Sequence, residues 1–414
     1  MQIAKYSIGT GDRFGLQGNA QLAAVKKAQD KGVDLAIVWN KSHREHSIVG
    51  TSQQALRNEA DQAVKSLGWK GQYFVDADHI GLGNVDLFMD SSDFFTLDVA
   101  DFIGKKADEK SLAAFIKKYS RFIGECVIPG IDQPLTISAE LLQIIAEKYL
   151  YAVQEAGKIY RYILANKGGD GFITEVSMDE TADPQTPTEM LFILAAMADE
   201  QIPAQTIAPK FSGRFNKGVD YQGDVALFRQ EFEADLCVIN YAVTHFGLPS
   251  NLKLSVHSGS DKFCIYQPIR GLITQHNAGI HVKTAGTTWL EELIGLAEAG
   301  GEGLEIAKKI YTSSYGRYDE LCSPYASVID IDQDALPTPA ALETWTSDQF
   351  VKALRHDQSC PDYDVNLRQL LHVGYKVAAE LGPVYLNALK ENEEMVAKNV
   401  TENLFFRHIK PLFL

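Results

Sequence analysis

Short apolar runs punctuate the first two thirds of the chain. DLAIVWN (34–40), QYFVDAD (72–78), FFTLDV (94–99), GFITEVS (171–177), AQTIAPKF (204–211), LKLSVH (252–257) and GIHVKT (279–284) read as strands, with SVIDI (327–331) a candidate eighth. Most are near-continuously apolar rather than alternating, as parallel strands buried on both faces are. Helical patterns lie between them. The segment 138–168 opens on Ser138 as an N-cap and closes on glycines at 168 and 169; others follow the fourth, fifth and later strands. Repeated βα units predict an α/β fold, and seven or eight of them favour a (β/α)8 TIM-type barrel over an open doubly wound sheet. Beyond about 335 the pattern is helical. The chain therefore divides into a barrel over 1–334 and a C-terminal helical extension over 335–414 that packs on it.

Composition narrows what such a barrel does. With 414 residues, 45% hydrophobic and 22% charged, the chain can build a large core. Fifty-four acids against thirty-nine bases give a formal charge of −15, which argues against nucleic-acid and anionic-membrane partners. A small-molecule partner remains, in a protein that can also pair with copies of itself. The five cysteines (126, 237, 264, 322, 360) form no CxxC pair, and no apolar segment reaches the roughly 20 residues of a membrane span. A cytoplasmic location is the simplest expectation. GTGDRFG (9–15) lacks the GxGxxG spacing of a dinucleotide loop, and Walker A, GxSxG and HExxH motifs are absent.

Chemistry gathers where the apolar runs end: Asn40-Lys41, Asp76 to His79, Asp98, Glu175, Lys210, His257, and His281 to Lys283. In a parallel barrel those ends share one face, where sites are built. His79, His257 and His281 could hold one divalent cation (Zn, Mn, Ni or Co), with Glu175 as oxygen ligand or acid/base. Each histidine alone would be read as a buried ring bonded to backbone; three at strand ends favour a metal site. His245, His356, His372 and His408 default to structural or surface positions, although RQLLHVGYK could lay His372 over the barrel mouth. Lys41, Lys210, Arg214, Lys262 and Lys283 put cations at the mouth of an acidic protein, which suits a carboxylate or phosphate on the substrate.

VDADHI (75–80) resembles the Asp-His element of metal-dependent class II aldolases. That likeness implies Asp78 as acid/base and His79 as metal ligand, while HSGSDK (257–262) resembles their later metal-binding histidine and glycine-serine anion loop. A longer likeness runs almost end to end. VWNKSHREHSIVGT, VDADHIGLGNVDLF, SSDFFTLDVADFIG, TEVSMDET, APKFSGRFNKGVDY, SVHSGSDKF, HVKTAGTTWLEE, RQLLHVGYKVAAE and NVTENLFFRHIKPLF resemble the tagaturonate epimerase family of bacterial hexuronate catabolism. The resemblance implies a metal-dependent isomerase that interconverts D-tagaturonate and D-fructuronate, or related ketohexoses. Retro-aldol chemistry would use Asp78 as base, with Glu175 second. Lys210, Lys262 or Arg214 would hold the carboxylate. A fragment-releasing class II-type aldolase is the alternative, and a non-catalytic sugar-acid sensor a more remote one.

Overall fold

A computed structural model describes residues 1–181, 183–257, 261–284 and 286–414. Eight parallel strands close into a barrel: β1 (Tyr6–Thr10), β2 (Leu35–Ser42), β3 (Tyr73–Ile80), β4 (Phe94–Asp98), β5 (Ile173–Ser177), β6 (Thr206–Ala208), β7 (Lys253–His257) and β8 (Ile280–Lys283). They follow one another in chain order, and β8 closes on β1 with Tyr6 opposite Ile280.

The eighth strand is not the one the sequence pattern suggested. Residues 327–331 form no strand; Val328, Ile329 and Ile331 pack instead in an apolar cluster of the helical layer. The missing strand is β1, whose sequence YSIGT is no apolar run because Ser7 and Gly9 face a crowded interior. A Cβ on Gly9 would stand 3.0 Å from the Thr284 amide nitrogen and 3.5 Å from the His281 ring. The glycine-rich segment 9–15 begins in the last residues of β1, and the amides beyond that strand are already used. The Asp12 carboxylate accepts from the N–H groups of Phe14, Gly15, Leu16 and Gln17.

Helices arise where caps and periodicity place them. Ala139–Lys167 begins with Ser138 Oγ accepting from Leu141 N–H at 3.0 Å and ends at left-handed Gly168. Pro187–Asp199 starts with a reciprocal Thr186–Glu189 capping box. A small antiparallel hairpin, Gly124–Cys126 with Leu135–Ile137, precedes the long helix and left no clear trace in the pattern. Among the described residues no helix is long and apolar enough to cross a membrane.

Side-chain alternation sets the interior. Ala36, Val38, Phe74, Phe94 and Ile173 plug the lower barrel together with Ile3. The same inward parity continues upward as Asn40, Asp76, Asp78, Thr96, Asp98, Glu175, His257 and Lys283. A second apolar cluster joins Trp289, Leu293 and Tyr311 to Leu342, Leu371, Tyr385 and Val400, so the helices on both sides of position 335 share one core.

Candidate active site

Lys283 stands at the centre of the upper barrel. Its Nζ lies 2.7 Å from Asp78 Oδ1, 2.8 Å from Asp76 Oδ2 and 3.5 Å from Glu175 Oε1, and it donates to Thr96 Oγ1 at 2.5 Å. Thr96 Oγ1 in turn sits 3.0 Å from Asp76 Oδ1 and 3.2 Å from Glu175 Oε1. Burial would strip the proton from this lysine, but Asp76, Asp78 and Glu175 outweigh it and hold its pKa above the ordinary value. Burial raises Asp76 to about 6 against the pull of Lys283. Burial also works to raise Asp78 and Glu175, yet both end below the ordinary range because of Lys283, with His79 acting on Asp78 and His257 on Glu175.

Above this lysine lie two histidines. His257 Nε2 is 2.8 Å from Glu175 Oε1, its Nδ1 is 3.1 Å from Asp179 Oδ2, and its ring meets that of His79 edge-on at 5.5 Å. His79 reaches this group through a defect in β3. After Asp76 and Asp78 face inward, residue 79 should face outward; the pairing with β4 slips between Ala77 and Ile80 and His79 adopts φ 51°. That bulge turns its ring so that Nδ1 lies 3.3 Å from Asp98 Oδ2 and Nε2 3.7 Å from Asp78 Oδ1. A non-glycine residue held left-handed stores backbone strain, which the surrounding contacts must sustain. Burial disfavours the imidazolium forms, but the carboxylates prevail: Asp78 and Asp98 raise His79 to about 10, and Asp179 and Glu175 raise His257 to about 9.

His79, Asp179 and His257 offer ligand atoms that all lie within 4.8 Å of one another, a two-histidine, one-carboxylate set suited to a divalent cation. The side chains of His79 and Asp179 are 25% and 22% exposed, whereas those of Asp76 and Glu175 are sealed, so a ligand approaches from the His79–Asp179 side.

The expected site residues thus divide. Asp78, His79, Glu175, His257 and Lys283 come together. His281 does not join the cation set. It faces inward two residues below Lys283, Ser7 Oγ lies 3.0 Å from its Nδ1, and burial lowers its pKa to about 3. Lys262 is buried among carbonyls, donating to Val219 and Asn216 at 2.6 and 2.9 Å. Arg214 pairs with Asp330 at the surface, and the Lys210 amide donates to Gln185. Lys41 donates to the carbonyl of Arg13. The expected glycine-serine anion loop at 258–260 lies outside the described residues. Asp179 joins this set although it ends no strand; its one sequence signal is a carboxylate just past a strand end, in TEVSMDET.

The family described as tagaturonate epimerase matches residues 1–412. A tagaturonate/fructuronate epimerase of Thermotoga maritima is 26% identical, over 97% of this chain and 80% of its own. Crystal structures of the fructuronate-tagaturonate epimerase of Cohnella laeviribosi, native and with one glycerol, give TM-scores of 0.80 and 0.81 at 22% identity. They cover 98% of this chain and 81% of theirs, a likeness that speaks to the barrel and its helical layer.

Proposed function

The chain belongs to the tagaturonate epimerase family, an isomerase family, and on that premise we propose that it interconverts D-tagaturonate and D-fructuronate at C3 with a divalent cation held by His79, Asp179 and His257. The observation that carries this reading is the meeting of two histidines, several carboxylates and a buried lysine at the C-terminal ends of the strands, the face on which barrel enzymes work. When bound, the cation supplies charge neutralisation for a developing oxyanion; imidazole and carboxylate donors suit Zn, Mn, Ni or Co.

Both sugar acids carry their ketone at C5 and differ at C3. A carbonyl does not acidify a C–H bond β to it, so simple deprotonation at C3 is chemically disfavoured. A β-hydroxy ketone can open its C3–C4 bond instead. A base takes the proton of the C3 hydroxyl, C3 becomes an aldehyde carbon, and the bonding pair passes into a C4–C5 enediolate. Rotation of the aldehyde and re-addition through its other face return the proton and give the epimer. Asp78 is the base in this reading: Lys283 keeps it ionised, and it is less deeply sealed than Glu175. Glu175 takes the positioning role, orienting the His257 ring through Nε2. The C-terminal helices help keep water from the cleaved pair.

The test is incubation of D-tagaturonate with chelator-treated and metal-restored protein, followed by NMR. D-fructuronate forms only with the restored protein; no conversion in either sample sinks the reading, and a stable pair of fragments replaces it with an aldolase. Asp78→Asn keeps its metal by elemental analysis and loses roughly 10²–10⁴-fold in turnover. In D2O the product carries no deuterium at C3; deuterium there speaks for proton transfer at that carbon.

A further inference from the structure

A second polar recess opens on the same mouth. The histidine cluster is built by β3, β5 and β7, whereas this recess is built by the residues ending or following β1, β2 and β8, together with one from the C-terminal helices. Asp12, Arg13, Asn40, Lys41, Glu45, Thr284 and His372 are among the residues that line it.

Asn40 stands beside Asp76 in the strand register and faces inward with it. Its Nδ2 donates to Thr284 Oγ1 at 2.8 Å, while its Oδ1 is buried and receives no hydrogen bond from the described residues. A buried acceptor left without a donor costs free energy unless a ligand supplies one. Thr284, which directly follows Lys283, holds φ 55°, a strained conformation for a β-branched residue. His372 is only 3% exposed and packs its ring over Gly218. No hydrogen bond ties its ring nitrogens to the described residues, and His372 forms part of the recess wall.

Two cations, Arg13 and Lys41, and two carboxylates, Asp12 and Glu45, line the recess, so its reading rests on how each is engaged. The Arg13 guanidinium lies 4.4 Å over the Tyr375 ring, with Nε 3.2 Å from Glu45, so its orientation is fixed before any ligand arrives. Lys41 adds a second cation beside it. Both lining acids are already engaged: four backbone N–H groups donate to the Asp12 carboxylate, and Glu45 meets Arg13 Nε. Burial, followed by the charges of Arg13, Lys217, Arg368 and Lys262, holds the His372 pKa well below its ordinary value.

We propose that the recess seats the carboxylate end of the sugar acid, with Arg13 meeting the C1 carboxylate, His372 donating to it from the helical layer and Asn40 Oδ1 accepting from the C2 hydroxyl. The assignment rests on the epimerase reading, and its chemistry agrees with it. The reacting C3 lies two carbons from the carboxylate and two from the ketone, so the substrate spans from the recess to the histidine cluster. Lys210, Arg214 and Lys262 are not needed for this task. An uncharged ketohexose offers Arg13 no carboxylate, which makes the recess the determinant that favours acids over neutral sugars.

Steady-state kinetics of Arg13→Gln and His372→Asn on D-tagaturonate and on D-tagatose test this. In each variant kcat/KM for the acid falls roughly tenfold or more beyond any loss on the neutral sugar, as removal of a charge-assisted hydrogen bond implies. Equal losses on both sugars overturn the carboxylate assignment; no loss on the acid overturns the recess. His372→Asn leaves the Arg13–Tyr375 stack intact and so separates binding from misfolding. If the unaltered protein converts neither sugar, the epimerase reading fails on its own. Calorimetric binding of D-gluconate against glucitol, neither of which carries a ketone, then judges the recess. Preference for gluconate that weakens in Arg13→Gln supports it. Absence of gluconate binding, equal binding of glucitol, or equal affinity in the variant overturns it.

Discussion

Lys283 concentrates the electrostatic problem of this molecule in one side chain. It is sealed from water, and so are two of the carboxylates around it. Such a group is stabilised only while all members are present; removing one leaves charges buried without compensation. Lys283→Met keeps much of the volume and removes the cation, which leaves Asp76, Asp78 and Glu175 to repel one another. The expected loss is about 3–5 kcal/mol of unfolding free energy, measured by urea denaturation, together with loss of turnover. A variant as stable as the parent would show that the carboxylates take up protons instead, and their pairing with Lys283 would then not be what holds the upper barrel. His79 presents the opposite case at the same scale. Its left-handed backbone is a local cost, and what it secures is an inward-facing ring at a position whose parity points outward.

At the scale of elements, helix Val225–Phe246 carries another buried acid with a different consequence. Burial, followed by Glu231, holds the Asp235 carboxyl well above the ordinary range. A group raised in the folded state contributes stability that is fully present below its unfolded pKa and is lost as pH rises through its folded pKa. Asp235→Asn removes that dependence. Its melting temperature therefore gains on the parent as pH rises above the ordinary carboxyl range, and a gap that stays constant between pH 4 and pH 9 sinks the argument. Elements also show what could be read from the chain. Seven strands and the helix Ala139–Lys167 were legible because burial on both faces writes apolar runs and helix ends write caps. β1 was not, since its inward positions are Ser7 and Gly9. The strand-end rule located Asp78, His79, Glu175, His257 and Lys283, but it carries no information on depth. His281 lies on the correct face and about 6–7 Å further down its strand than Lys283. Asp179 lies in a loop, where no periodicity marks it, and Arg13 and Asn40 joined the recess only once the barrel had closed β8 onto β1.

The whole molecule is tied together at Asp261, just beyond β7. Its carboxylate is 2.9 Å from Arg368 Nη2, 3.0 Å from His356 Nδ1 and 3.1 Å from His408 Nε2, so three separate segments of the C-terminal layer converge on one barrel residue. Arg368 also donates to the carbonyls of Gly218 and Leu354 and to Thr287 Oγ1, linking that node to the loops around the mouth. Burial would raise Asp261, but Arg368 and the two histidines hold it well below the ordinary range. Its contribution is therefore present at neutral pH and lost only in strong acid. Asp261→Asn keeps the shape and removes the charge, leaving Arg368 buried with neutral partners. The C-terminal helices should loosen from the barrel before the barrel itself opens. Hydrogen exchange should rise by an order of magnitude or more across Val365–Val373 and the segment Asn403–Ile409, while the amides of β3 and β4 keep their protection. Because Val365–Val373 also carries His372, the same variant should weaken binding of the sugar acid without altering the histidine cluster. Uniform acceleration over the whole chain would instead make Asp261 a determinant of global stability, with no special hold on the cover of the mouth.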